Sequence, residues 1–89
     1  MTMRRLRIQN IKGLHARASA KLVEVVEAFD ADAKVSKDGE TSSGDSIMGL
    51  LMLAASIGTY IEVETSGPQA EELAEAIENL VNDKFGEGD

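Results

Sequence analysis

The chain has no cysteine, no tryptophan, one proline, one histidine and only three aromatic residues. Without cysteine there is neither a disulfide framework nor a thiolate metal site, and the composition suits a reducing cytoplasm. No apolar run approaches the roughly 20 residues needed to cross a bilayer. The first ten residues mix Arg4, Arg5 and Arg7 with scattered apolar positions, so neither a signal peptide nor a membrane anchor is read there. Basic residues are also scarce. Nine Lys and Arg against sixteen Asp and Glu leave a formal charge of −7, the wrong balance for a general nucleic-acid binder, which gathers cations on one face. A single imidazole leaves few routes to chemistry, and His15 is the first residue to question.

At 89 residues with 43% hydrophobic content, the chain should form one domain, residues 1–89, around a modest core of Val, Ile, Leu, Met and Ala. Its charge is uneven. Four of the nine basic residues are arginines within the first 17 positions, whereas the segment from Glu71 onward is acidic apart from Lys84 and reads as a solvated helix.

Residues 3–9 alternate, Leu6 and Ile8 against Arg5 and Arg7, as in a half-buried strand. From Ala16 to Phe29 the apolar positions Ala18, Leu22, Val25, Val26 and Phe29 recur at helical spacing. Ala33–Val35 and Glu40–Ser42 flank Lys37-Asp38-Gly39, whose Asp-Gly pair signals a hairpin turn. Ser46–Ala55 reads as a helix capped by Ser46 and stopped near Gly58, with more apolar faces than one sheet can cover. Tyr60–Thr65 alternates again, and Ser66-Gly67-Pro68 opens a last helix with Leu73, Ile77, Leu80 and Val81 as its buried stripe. The chain is expected to fray after Phe85. The predicted order is β-α-β-β-α-β-α, an α+β fold with a four-stranded, mainly antiparallel sheet and three helices on one face.

If the first helix starts at Ala16, the free N–H groups of Ala16 and Arg17 and the helix dipole place partial positive charge beside His15. That setting favours a neutral, nucleophilic imidazole and accepts an anion, with Arg17 able to bind a phosphoryl oxygen. Spacing alone leaves two readings open: a phosphoryl acceptor, or a histidine that merely caps a helix or lies on the surface.

Gly13-Leu14-His15-Ala16-Arg17, together with Ser46-Ile47-Met48-Gly49, resembles the histidine-containing phosphocarrier (HPr) family of the bacterial phosphotransferase system over nearly the whole chain. The resemblance implies an open-faced β-sandwich and a cytoplasmic monomer that is not an enzyme and needs no cofactor or metal. His15 is then the acceptor at Nδ1, loaded by phosphorylated enzyme I from phosphoenolpyruvate and unloaded onto an enzyme IIA. Arg17 and the Ala16 N–H would stabilise the phosphoryl group. Two departures matter. Ala18 replaces the usual proline, and Glu24 and Glu27 stand where sugar-branch members commonly carry lysine. With Gly67-Pro68-Gln69, these look more like the nitrogen-branch relatives, NPr.

Ser46 is expected to cap its helix, and by the same resemblance is a regulatory site for HPr kinase/phosphorylase. A phosphoserine there adds roughly −1.5 to −2 of charge. Leu50 and Leu53 can face the sheet, which leaves Ile47, Met48, Leu51 and Met52 as candidates to dock partners, with Ala20, Lys21 and Glu24 on the first helix. Gly44 to Gly49 has the glycine spacing of a nucleotide-binding loop, but Leu50-Leu51 replaces the required Lys-Ser/Thr, and nucleotide binding is excluded there. A relay through His15, a regulatory binding module switched at Ser46 or His15, and an unrelated small α+β module remain the three functional readings.

Overall fold

The computed structural model of the protein describes residues 1–87; Gly88 and Asp89 lie outside the described residues. The elements are β1 (Thr2–Arg7), α1 (Ala16–Glu27), β2 (Asp32–Lys37), β3 (Glu40–Ser43), α2 (Ile47–Met52), β4 (Tyr60–Ser66) and α3 (Ala70–Asn82), followed by a short 3-10-type turn, Lys84–Gly86. The expected β-α-β-β-α-β-α order is present. The four strands form one sheet in the order β1-β4-β2-β3, every neighbouring pair antiparallel.

The registers explain why one face of the sheet is buried. Leu6 sits opposite Ile61 and Val35 opposite Val63, so period-two alternation in each strand lines up apolar residues across the sheet. Ile61, Val63 and Val35 are fully buried beneath Leu22, Leu50, Leu73 and Ile77 of the helices. The other face stays open: Met3 and Tyr60 are exposed, and the Arg5 guanidinium lies 4.1 Å from the Tyr60 ring centroid. The hairpin between β2 and β3 turns at Asp38 and Gly39, both at positive φ (51° and 85°), as a two-residue hairpin turn requires.

Several boundaries differ from the sequence reading. β1 ends at Arg7, but Ile8 remains fully buried and exchanges backbone hydrogen bonds of 2.9 Å with Gly58 and Thr59. α1 ends at Glu27, so Phe29 lies beyond the helix, and both Val25 and Phe29 are only partly buried against the core. α2 runs six residues rather than through Ala55, because Ala54 takes φ 53° and breaks the helix. Pro68 lies before α3 rather than in its first turn: Gly67 at φ 107° makes the reversal, and Gln69 is the N-cap. Gln69 and Asp30 then bind one another, backbone N–H to Asp30 carbonyl at 3.0 Å and Asp30 N–H to the Gln69 side chain at 2.8 Å. Leu80 is partly rather than fully buried. Of the segment expected to fray after Phe85, Gly86 and Glu87 are held against the protein; the rest of that expectation falls on Gly88 and Asp89, outside the described residues. Phe85 is fully buried, a burial that stabilises by roughly 1.5–3 kcal/mol, and it draws Gly86 and Glu87 back onto the protein.

Candidate functional site

The loop before α1 is built to present a side chain. A turn closes from Gly13 N–H to the Asn10 carbonyl at 3.1 Å, and Leu14 N–H donates to the Ala55 carbonyl at 2.8 Å. Gly13 has φ 64°, and a Cβ there would sit 2.3 Å from the Ala55 carbonyl oxygen, so only glycine fits between the two loops. Leu14 is buried behind it. His15 follows as the N-cap of α1 in extended conformation (φ −80°, ψ −176°), and its side chain makes no capping hydrogen bond. The ring is therefore not spent on the helix, and the first-turn N–H groups of Ala16 and Arg17 have no intrahelical acceptor.

The ring is half-buried and, among the described residues, bound on one nitrogen only. His15 Nε2 pairs with Glu87 Oε2. The second carboxylate oxygen, Oε1, accepts from Asn10 Nδ2 at 3.0 Å. Asn10 is fully buried, and the same Nδ2 donates to the Gly13 carbonyl at 2.7 Å. The hydrogen bond from His15 holds the Glu87 carboxyl below the usual carboxylate range; Asn10 and the charges of His15 and Lys12 act in the same direction, against partial burial.

Around this pair a cleft of about 510 Å³ is lined by Lys12, His15, Ala16, Arg17, Lys21, Gly86 and Glu87. Three cations thus gather in a chain of net charge −7, beside the positive end of a helix. Arg17 is exposed and has no side-chain ion pair among the described residues. The Lys21 ammonium instead donates to the Phe85 carbonyl at 2.6 Å and ties α1 to the C-terminal turn. Among the described residues, no cluster of three or more His, Asp or Glu could hold a metal ion. A second hollow, about 530 Å³, lies at the hairpin between Arg5, Lys37, Asp38, Tyr60 and Glu62 and contains no imidazole.

A protein-family model, the PTS HPr component phosphorylation site, matches residues 2–83. The chain belongs to the HPr family. It is 44% identical to the phosphocarrier protein HPr of Cupriavidus necator over all 89 residues of both chains. It is also 42% identical to the phosphocarrier protein NPr of Escherichia coli over 81 residues, 90% of each. Among solved structures, an HPr from Thermoanaerobacter tengcongensis superposes with a TM-score of 0.93 at 34% identity and 98% coverage of each chain. A phosphocarrier protein HPr from Bacillus anthracis gives 0.86 at 38% identity, covering 90% of this chain and 95% of the other. This chain is accordingly an HPr/NPr-type phosphocarrier of the phosphotransferase system with the open-faced α+β fold expected of one. No helix among the described residues is long and apolar enough to cross a membrane.

Of the positions singled out in the sequence, His15, Ala16, Arg17 and Lys21 share the cleft; Ala20, Glu24, Ser46 and the α2 residues lie outside it. Ser46 caps α2 as expected, its Oγ accepting from Gly49 N–H at 3.1 Å. Leu50 and Leu53 are buried, whereas Ile47, Met48 and Met52 are 41%, 69% and 75% exposed. Leu51 is intermediate and Glu24 exposed. Sequence reasoning missed Asn10, Lys12, Gly86 and Glu87. The one signal that pointed to the last two was Phe85-Gly86, an aromatic and a glycine in an otherwise polar tail.

Proposed function

We propose that His15 accepts a phosphoryl group at Nδ1 from phosphorylated enzyme I, which is charged by phosphoenolpyruvate, and passes it to a histidine of an enzyme IIA in a sugar or nitrogen-related phosphotransferase system. The observation that carries this reading is the division of the ring: Nε2 is engaged by Glu87, and the side chain caps nothing. The nitrogen left over is Nδ1. In the transfer its lone pair forms the new N–P bond while the donor's bond to phosphorus breaks, the bonding pair returning to the donor. The reverse sequence delivers the group onward. Arg17, the N–H groups of Ala16 and Arg17, and Lys12 supply positive charge where the phosphoryl oxygens arrive.

The exposed apolar residues Ile47, Met48 and Met52, with Leu51, give partners a surface to dock on, and methionine adapts to several in turn. Ala20, Lys21 and Glu24 extend that surface along α1, in a monomer acting in the cytoplasm. Incubation with enzyme I and phosphoenolpyruvate should add one acid-labile phosphoryl group, and His15→Ala should remove it completely. Acid-stable modification alone, or none, would refute the relay.

A second reading concerns regulation. Ser46 is partly exposed beside Ile47 and Met48, so phosphorylation by an HPr kinase/phosphorylase would place negative charge on the docking surface. Treatment with such a kinase, followed by mapping of the acid-stable phosphate, tests it; phosphate elsewhere than Ser46 counts against it.

A further inference from the structure

The C-terminal turn contains features that are unfavourable locally and converge on one atom. Lys84 and Phe85 both hold φ of 54° and Gly86 follows at 75°, a left-handed run that bulky side chains rarely adopt. Phe85 is nevertheless fully buried, its carbonyl is held by Lys21, and a Cβ on Gly86 would come within 3.1 Å of the Lys21 ammonium. The reversal carries Glu87 back to His15. On the other side of the carboxylate, Asn10 commits its one amide nitrogen to both Gly13 and Glu87. Among the described residues, its own Oδ1 is left buried without a partner. Buried polar groups are rarely left so, and here the stranded oxygen follows from the orientation that grips Glu87.

We infer that Glu87 is a positioning residue for His15: gripped by Asn10, its carboxylate fixes the ring proton on Nε2, keeps Nδ1 as the free nucleophile, and meets the charge the ring gains on phosphorylation. The last step rests on the phosphocarrier reading; the first two concern the resting protein. Because the proton stays on Nε2 while the Nδ1 lone pair bonds phosphorus, the loaded ring is a phosphorylated imidazolium. When the group departs, the N–P bonding pair returns to Nδ1 and the neutral ring is restored. No proton needs to be exchanged with water in either direction. Both carboxylate oxygens are required, one accepting from Nε2 and one from Asn10, and a glutamine offers only one acceptor. The hydrogen bond from His15 is also the main reason Glu87 stays ionised at lower pH than an ordinary carboxyl.

The test is 15N NMR of the His15 ring in the full-length native chain, Glu87→Gln and Glu87→Ala, at alkaline pH where free imidazole is neutral, beside the initial rate of phosphoryl acceptance from enzyme I. In the native protein, Nε2 should show the protonated pattern and Nδ1 the unprotonated one. Glu87→Ala should mix the two tautomers and slow acceptance by roughly tenfold, the rate equivalent of one lost charge-assisted hydrogen bond. Glu87→Gln should fall between. Thermal unfolding of the variants verifies that the fold persists. Ring shifts unchanged in both variants would overturn the inference. If even the native chain takes no phosphoryl group, the relay fails, while the ring shifts still decide whether Glu87 fixes the proton.

Discussion

The Glu87 carboxylate binds Nε2 of His15 across 72 residues of chain, so the start of the first helix and the C-terminal turn meet at one hydrogen bond. The main cause of the lowered Glu87 midpoint is its hydrogen bond from His15. In His15→Ala that midpoint should move up towards the ordinary value. A 13C titration of the Glu87 side chain measures it, and an unmoved midpoint would contradict the contact.

The same shift sets a dependence of stability on pH. Glu87 binds its proton less tightly folded than unfolded, so its contribution is present above the ordinary midpoint of 4.5 and lost as pH falls through the lower, folded one. Native protein should lose more stability than His15→Ala between neutral pH and that acid range, as read by denaturant unfolding at each pH. Equal losses would show that the pair contributes nothing.

Gly13→Ala should damage both fold and site. The new Cβ meets the Ala55 carbonyl at 2.3 Å at a φ of 64°, and the backbone strain alone costs about 1–3 kcal/mol. Chemical denaturation gives the loss, and the ring resonances of His15 should shift with it.

Phe85→Ala removes the anchor of the C-terminal turn. A loss of about 3–5 kcal/mol is expected for a buried phenylalanine, together with release of Glu87 from His15, visible as loss of the native ring tautomer preference.

At Ser46 the cap and the charge can be separated. Ser46→Ala should cost about 1 kcal/mol through loss of the bond to Gly49 N–H. Ser46→Asp keeps a good cap, so its stability should stay within about 0.5 kcal/mol of native, while phosphoryl acceptance from enzyme I slows. An unslowed Ser46→Asp would argue against charge regulation at this surface.

What the sequence made legible is what depends on neighbours in the chain. Alternation in β1 and β4, the helical stripe of α1, the Asp38-Gly39 turn and the Ser46 cap are all local patterns, and each is present. His15, Ala16 and Arg17 are contiguous, so half of the cleft was readable too. The other half was not, because Asn10 and Glu87 meet only after the sheet has closed, at a separation of 77 residues, and no periodicity encodes that pairing. The boundaries that moved did so for tertiary reasons. α2 stops early so that the Ala55 carbonyl can receive Leu14, and the tail turns inward because Phe85 finds the core.

The sheet order has a consequence for how the chain assembles. β4 is the partner of both β1 and β2, so neither inner pairing can form until residues 60–66 have joined the nascent structure. Such late, long-range closure raises contact order and slows folding relative to a helical bundle. Before β4 arrives, the β2–β3 hairpin is the only strand pair available to the chain, and a hairpin alone is marginal in water. Insertion of β4 should therefore be the event that commits the polypeptide, and substitutions at Ile61 or Val63 should slow refolding more than equally destabilising ones in the α3 stripe.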